Sequence, residues 1–197
     1  MKKVFVLILI LFCFGCNDKV SIIKEASSDS LTYLFFKNLD DKNYLVYFYD
    51  RNVAKNDDSI IIIGRADDKY YYEYDGIDKR KIIQMNGFKY TVSDESKSYY
   101  KEESAVEDFS LGILPSDISK LKTLGYKTGK AKVFNYNYVF EEYKFDGFRV
   151  IYYFKGKKLI YVKSIFPSST SLIKFEKFGK ISKKMFDISD DYNEIGY

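Results

Sequence analysis

The chain contains no histidine. That absence removes Ser-His and Cys-His nucleophile activation, the usual zinc ligand sets and imidazole acid-base catalysis together. Cysteine is scarce as well: Cys13 and Cys16 are the only two in 197 residues, so packing rather than a disulfide framework must hold the fold. Charge of one sign is also missing. The 32 basic and 28 acidic residues leave a formal net charge of +4, spread without large blocks, which is no footprint for nucleic acid. The one long apolar run, residues 4–14, is shorter than the roughly 20 residues that a membrane-spanning helix needs. No internal period of about 20 to 50 residues is visible, which speaks against a solenoid.

What stands at the N-terminus reads as an export signal. Lys2 and Lys3 form a positive n-region, residues 4–14 the apolar h-region, and Gly15 the small residue before Cys16. This segment resembles the lipobox of bacterial lipoproteins, in which a cysteine after a small residue takes a diacylglyceryl group and becomes the new N-terminus. The resemblance implies cleavage between Gly15 and Cys16, covalent lipid on Cys16 and a place in the bacterial cell envelope, with inner membrane, outer membrane and cell surface left open. Cys13 and Phe14 stand where the lipobox carries Leu and a small residue, and ordinary signal cleavage is the competing reading. A redox Cys-x-x-Cys needs a polar turn, whereas Cys13 lies inside the apolar run. The division is then residues 1–15 as signal peptide, 16–27 as lipidated tether and 28–197 as the folded part. Cleavage leaves about 180 residues, enough for one domain with its own core.

Beyond the tether, Leu31, Leu34, Phe35 and Leu39 recur at helical spacing behind Ser28 or Asp29 as N-cap, predicting one amphipathic helix over 28–39. From residue 43 the pattern turns to short β-rich runs: 44–49, 59–66, 70–74, 81–85, 88–92 and 97–101. Asn86-Gly87, a strong hairpin signal, separates two of them, and Asp67-Asp68 and Asp75-Gly76 separate others. Residues 103–122 change character, and Pro115 opens a second short helix with Ile118 and Leu121 on one face. Strands then resume at 127–134, 138–145, 148–155, 158–165 and 171–178. About ten or eleven antiparallel strands result. Runs such as 44–49 (YLVYFY) and 150–154 (VIYYF) are apolar or aromatic on both faces. A sheet with one wet face alternates more strictly, so either the two helical segments cover the second face, or tyrosine, of which there are 20, sits on it.

Three stretches carry a further likeness. Residues 65–73 (RADDKYYYE), residues 128–133 (TGKAKV), and the closing run 175–181 (FEKFGKI) with 185–188 (MFDI) and Asp191-Tyr192 are similar to strand and terminal motifs of bacterial lipoprotein-sorting proteins, the LolA/LolB-like half-barrels. The resemblance implies an α+β, mostly β fold: a single curved antiparallel sheet, a half-open barrel wrapped round two or more short helices, with an apolar cavity between sheet and helices for acyl chains. It assigns no catalytic residue, and it transfers no ligand residue. Arg65 and Phe186 are read as turn and packing positions.

Acidic pairs recur at Asp40-Asp41, Asp57-Asp58, Asp67-Asp68, Glu102-Glu103, Glu141-Glu142 and Asp190-Asp191. Adjacent carboxylates in a strand point to opposite faces, and most of these pairs fall where Asp initiates turns. Glu141-Glu142 lies mid-strand, so one of the two is expected to face water or pair with a lysine. Lys120, Lys122, Lys127, Lys130 and Lys132 form the densest basic stretch and read as a solubilising surface, with anionic headgroups as the competing partner. The expectation is a non-enzymatic, membrane-anchored lipoprotein that binds or hands over an apolar lipid or acyl-chain ligand. It carries no cofactor beyond the covalent lipid on Cys16, no metal and no nucleic acid. The alternative is a surface or periplasmic protein or glycan interaction module with a filled core.

Overall fold

The computed structural model describes residues 22–25, 28–39, 42–52, 57–76, 79–104, 114 and 118–196. Gly15 and Cys16, the expected cleavage and lipidation positions, lie outside the described residues, as does Pro115.

Thirteen strands form one open sheet. In chain order they are β1 (Ile22–Lys24), β2 (Asn43–Asn52), β3 (Asp57–Ala66), β4 (Lys69–Asp75), β5 (Arg80–Met85), β6 (Phe88–Ser93), β7 (Ser98–Glu103), β8 (Tyr126–Val133), β9 (Tyr136–Phe145), β10 (Phe148–Lys155), β11 (Lys158–Ile165), β12 (Thr170–Gly179) and β13 (Asn193–Glu194). Each of the eleven predicted strands is present, as β2 to β12. Two meanders, β2 to β7 and β8 to β12, join side by side because β12 pairs antiparallel with β2, Ile173 and Phe175 facing the same core as Phe48. The chain therefore crosses from one edge of the sheet, at β7, to the other, at β8. Two short strands cap the edges: β1 runs along β8, and β13 runs along β7 in the single parallel pairing.

The α+β half-barrel wrapped round two or more short helices is not what forms. Among the described residues the fold is nearly all β, with one six-residue helix, α1 (Leu31–Phe36), and two 3-10 turns at Ile118–Lys122 and Lys183–Phe186. Helical spacing at residues 31–39 overstated the helix. Thr32, Tyr33, Phe35 and Phe36 are weak helix formers, and a helix this short is marginal without tertiary contacts. Its cap is Ser30, not Ser28 or Asp29: the extended Ser30 accepts the Tyr33 N–H on Oγ at 3.0 Å.

Two different layers cover the sheet. On one face α1 and the 118–122 turn pack over the central strands, burying Phe36 and Leu121 against Val46, Phe48, Tyr152 and Phe154. On the other face the chain after β12 folds back over β2 to β6, where Ile181 and Phe186 pack on Leu45, Tyr71, Ile83 and Val92. Gly64 permits this approach, since a Cβ there would collide with the Ile181 side chain. The sequence leaves two coverings of the second face open, the helical segments or tyrosine; over this half a C-terminal strap covers it. Arg65 and Phe186 have the expected roles. Arg65 Nε donates to the Asp67 carbonyl across the β3–β4 turn at 2.8 Å, and Phe186 is buried.

Candidate functional site

Glu141 is the most chemically conspicuous of the described residues: a carboxylate, 3% exposed, in the middle of strand β9. Alternation along β9 places it with Tyr143 on the face that carries α1. Its Oε1 accepts from Leu31 N at 2.8 Å, and its Oε2 from Thr32 N at 2.8 Å and Thr32 Oγ1 at 2.7 Å. The Tyr143 hydroxyl adds a longer bond at 3.4 Å. Glu141 and Ser30 thus satisfy the first amide donors of α1 between them, and the negative charge sits at the positive end of the helix. The arrangement is a pin that fixes α1 to the sheet.

Glu142 points to the opposite face, where Arg149 Nη1 meets it at 3.1 Å. Its partner is therefore an arginine on β10, not a lysine, and the two acids cannot act on one substrate. Among the described residues no three His, Cys, Asp or Glu side chains converge to hold a metal ion.

The space expected to receive acyl chains lies between α1 and the sheet. Phe35 contacts Phe36, Phe154, Phe175 and Phe178 edge-on, with ring centroids 5.0 to 6.4 Å apart, and Phe36 in turn meets Tyr152. Among the described residues a cleft of about 190 Å³ is lined there by Leu31, Leu34, Phe35, Lys157 and Phe178. Deeper in this layer the Tyr152 hydroxyl and Ser164 Oγ are buried without hydrogen-bond partners among the described residues. Burial pushes the Tyr152 and Tyr143 phenols above the usual tyrosine range.

A larger hollow lies further along the same face. Strands β5, β6 and β7 present Arg80 and Ile82, Lys89 and Thr91, and Tyr100 and Glu102 to it, and Ile195 and Gly196 close one side, giving about 470 Å³. Lys89 and Glu102 pair across neighbouring strands at 2.5 Å. The hollow is mixed: the charged and hydroxyl groups of Arg80, Lys89, Thr91, Tyr100 and Glu102 stand beside apolar walls that include Ile82 and Ile195. Sequence reasoning missed it because β5 to β7 read as ordinary strands, and only their lateral pairing brings these six side chains onto one face.

A third surface occupies the other face of β8 to β12. Val133, Tyr138, Phe140 and Tyr153 cluster there with Ile151, Tyr161 and Leu172, and every member of the cluster lies on these strands. Among the described residues no helix or strap joins it.

The expected basic stretch does not form one patch: Lys122 lies over the Tyr33 ring beside α1, whereas Lys127 and Lys130 alternate along β8. Of the three stretches that carry the half-barrel likeness, 65–73 forms the β3–β4 hairpin, 128–133 lies in β8, and the closing run forms the end of β12 and the strap. No family model matches the chain, and no curated protein matches it either.

Proposed function

We propose that this protein is a membrane-tethered, non-enzymatic interaction module of the bacterial cell envelope, with a filled core, that engages a polar protein or glycan partner at the hollow on β5 to β7. The observation that carries this reading is the packing of α1. Five phenylalanine rings pack into the helix–sheet seam, and the cleft that the described residues line there holds about 190 Å³, below the roughly 300 to 1,000 Å³ of typical ligand pockets. The β5–β7 hollow, at about 470 Å³, falls within that range. Its lining sets the charges and hydroxyls of Arg80, Lys89, Thr91, Tyr100 and Glu102 beside Ile82 and Ile195, which suits a partner that offers hydroxyls or charges together with some apolar surface.

One observation favours carriage of an acyl chain instead. The small cleft is apolar with a single cation, Lys157, on its lining, an arrangement suited to a fatty-acid carboxylate if α1 swings outward. Native mass spectrometry of the protein released from detergent, with palmitate and phosphatidylglycerol added, separates the two. The interaction module gives only the mass of the chain with its covalent lipid. Saturable uptake of one palmitate, lost in Lys157→Glu, would overturn it in favour of the carrier.

A further inference from the structure

The two meanders differ in charge. β8 to β12, residues 126–179, hold eleven basic and four acidic residues, whereas β2 to β7, residues 43–103, hold ten basic and twelve acidic. The near-neutral balance of the whole chain hides this, because only the fold separates the halves. Three of the four acids of the basic half are committed: Glu141 to α1, Glu142 to Arg149 and Glu176 to Lys174.

At one end of this basic half the β8–β9 turn carries Phe134 at φ +46 and Asn135 at φ +68. Sequence reading placed Phe134 in a strand. A two-residue turn with both φ positive favours Asn-Gly, and a bulky aromatic in that conformation costs about 1 to 2 kcal/mol. Phe134 is nonetheless 65% exposed, resting edge-on against Tyr161 at 5.8 Å, and Tyr136 beside it is 67% exposed. The neighbouring β10–β11 turn adds exposed Lys155, Lys157 and Lys158. Aromatic rings ringed by lysines are the composition of a membrane–water interface, where rings enter the headgroup layer and ammonium groups meet lipid phosphates.

The edge strand supplies direction. β1 runs antiparallel to β8 with Ile22 opposite Thr128, so the N-terminal end of β1 is directed toward the Phe134 turn. Cys16 precedes Ile22 by six residues, a reach of at most about 20 Å. Phe134 is six residues beyond Thr128 on β8, a similar rise. We infer that the Phe134–Tyr136 turn and the lysines of the neighbouring β10–β11 turn, at one end of the basic half of the sheet, dock on the anionic lipid surface of the membrane in which Cys16 is anchored. This rests on the lipid-anchor reading. Docking there holds the β5–β7 hollow, nine strand spacings from β8 in the sheet order, away from the bilayer and open to a partner.

The chain has no tryptophan, so one introduced indole reports its own surroundings. Tyr136→Trp and, as a control in the distant hollow, Tyr100→Trp are placed in the full chain. Both are reconstituted in vesicles of phosphatidylcholine with or without phosphatidylglycerol, carrying brominated acyl chains. Docking predicts that the indole of the Tyr136→Trp variant gives a blue-shifted, bromine-quenched signal that requires phosphatidylglycerol and fades in high salt, while the Tyr100→Trp variant stays unquenched. Lys155→Gln with Lys158→Gln weakens docking roughly 30-fold, from about 1 kcal/mol per lysine. Absence of quenching in Tyr136→Trp, equal quenching in both variants, or a blue shift that follows protein concentration without vesicles, meaning that a second copy covers the face, overturns the inference. Intact mass scores the anchor separately: a chain without added diacylglyceryl refutes that reading, and preformed vesicles added to the same two variants still score docking.

Discussion

Replacing Glu141 by Ala removes the acceptor of three short hydrogen bonds, two from backbone amides and one from the Thr32 hydroxyl, at a site where Thr32 is fully buried. A hydrogen bond to a charged group contributes about 1.5 to 3 kcal/mol. Leu31 N is only partly buried and recovers water, so the expected loss is about 4 kcal/mol, in line with breaking a buried charged contact. For a chain of this size that lowers the unfolding midpoint by roughly 8 to 15 °C. Glu141→Gln keeps one carbonyl oxygen but turns an NH₂ group toward donors, and should lose about half as much. The local signature is more specific than the global one: a six-residue helix does not persist unaided, so the amides of Leu34 and Lys37, bonded to Ser30 and Tyr33 carbonyls, lose hydrogen-exchange protection while the β9–β10 ladder keeps its own. A double-mutant cycle with Thr32→Val should show coupling of about 1 kcal/mol or more. A loss below about 1 kcal/mol for Glu141→Ala, or unchanged protection in α1, refutes the pin.

Tyr152→Phe should be neutral or stabilising by up to about 1 to 2 kcal/mol in denaturant titration, because the hydroxyl it deletes is buried without a partner; a clear destabilisation shows that the hydroxyl is satisfied in solution. Phe186→Ala should cost about 3 to 5 kcal/mol and free the strap from β4, visible as proteolysis after Gly179, whereas resistance equal to wild type refutes its role as the buttress. The end of the strap is held by carboxylates. Burial acts to raise the Asp94 pKa, but the Tyr192 hydroxyl at 2.8 Å and the charge of Lys81 outweigh it, and Asp191 is lowered by its hydrogen bond from Lys97. Both folded-state values lie below the ordinary 3.8, so the stabilisation is complete above that pH and is lost as pH falls through the folded values. Exchange at the amides of Asn193 and Ile195, which bond to Lys97 and Tyr99 carbonyls, should therefore rise below about pH 4 and not between pH 5 and 8; protection that persists into strong acid would contradict this.

Local signals settled what is local. β-Rich runs and turn chemistry at Asn86-Gly87 and Asp67-Asp68 located eleven strands, because strand propensity and positive φ are decided within a few residues. The lack of histidine set aside imidazole chemistry before any fold was known. The same short range explains what was misread: helical spacing in residues 31–39 marked a buried stripe, but the length of α1 depends on Glu141, about 110 residues away. Phe134 reads as a strand residue by propensity and occupies a turn, since the two-residue β8–β9 connection overrides that propensity. That β12 joins β2, that the strap rather than a helix covers β2 to β6, and that eleven basic residues gather in one half of the sheet are outcomes of burying non-local surfaces against one another. Individual strands carry no record of their lateral neighbours, and so the β5–β7 hollow and the basic aromatic face exist only in the folded sheet.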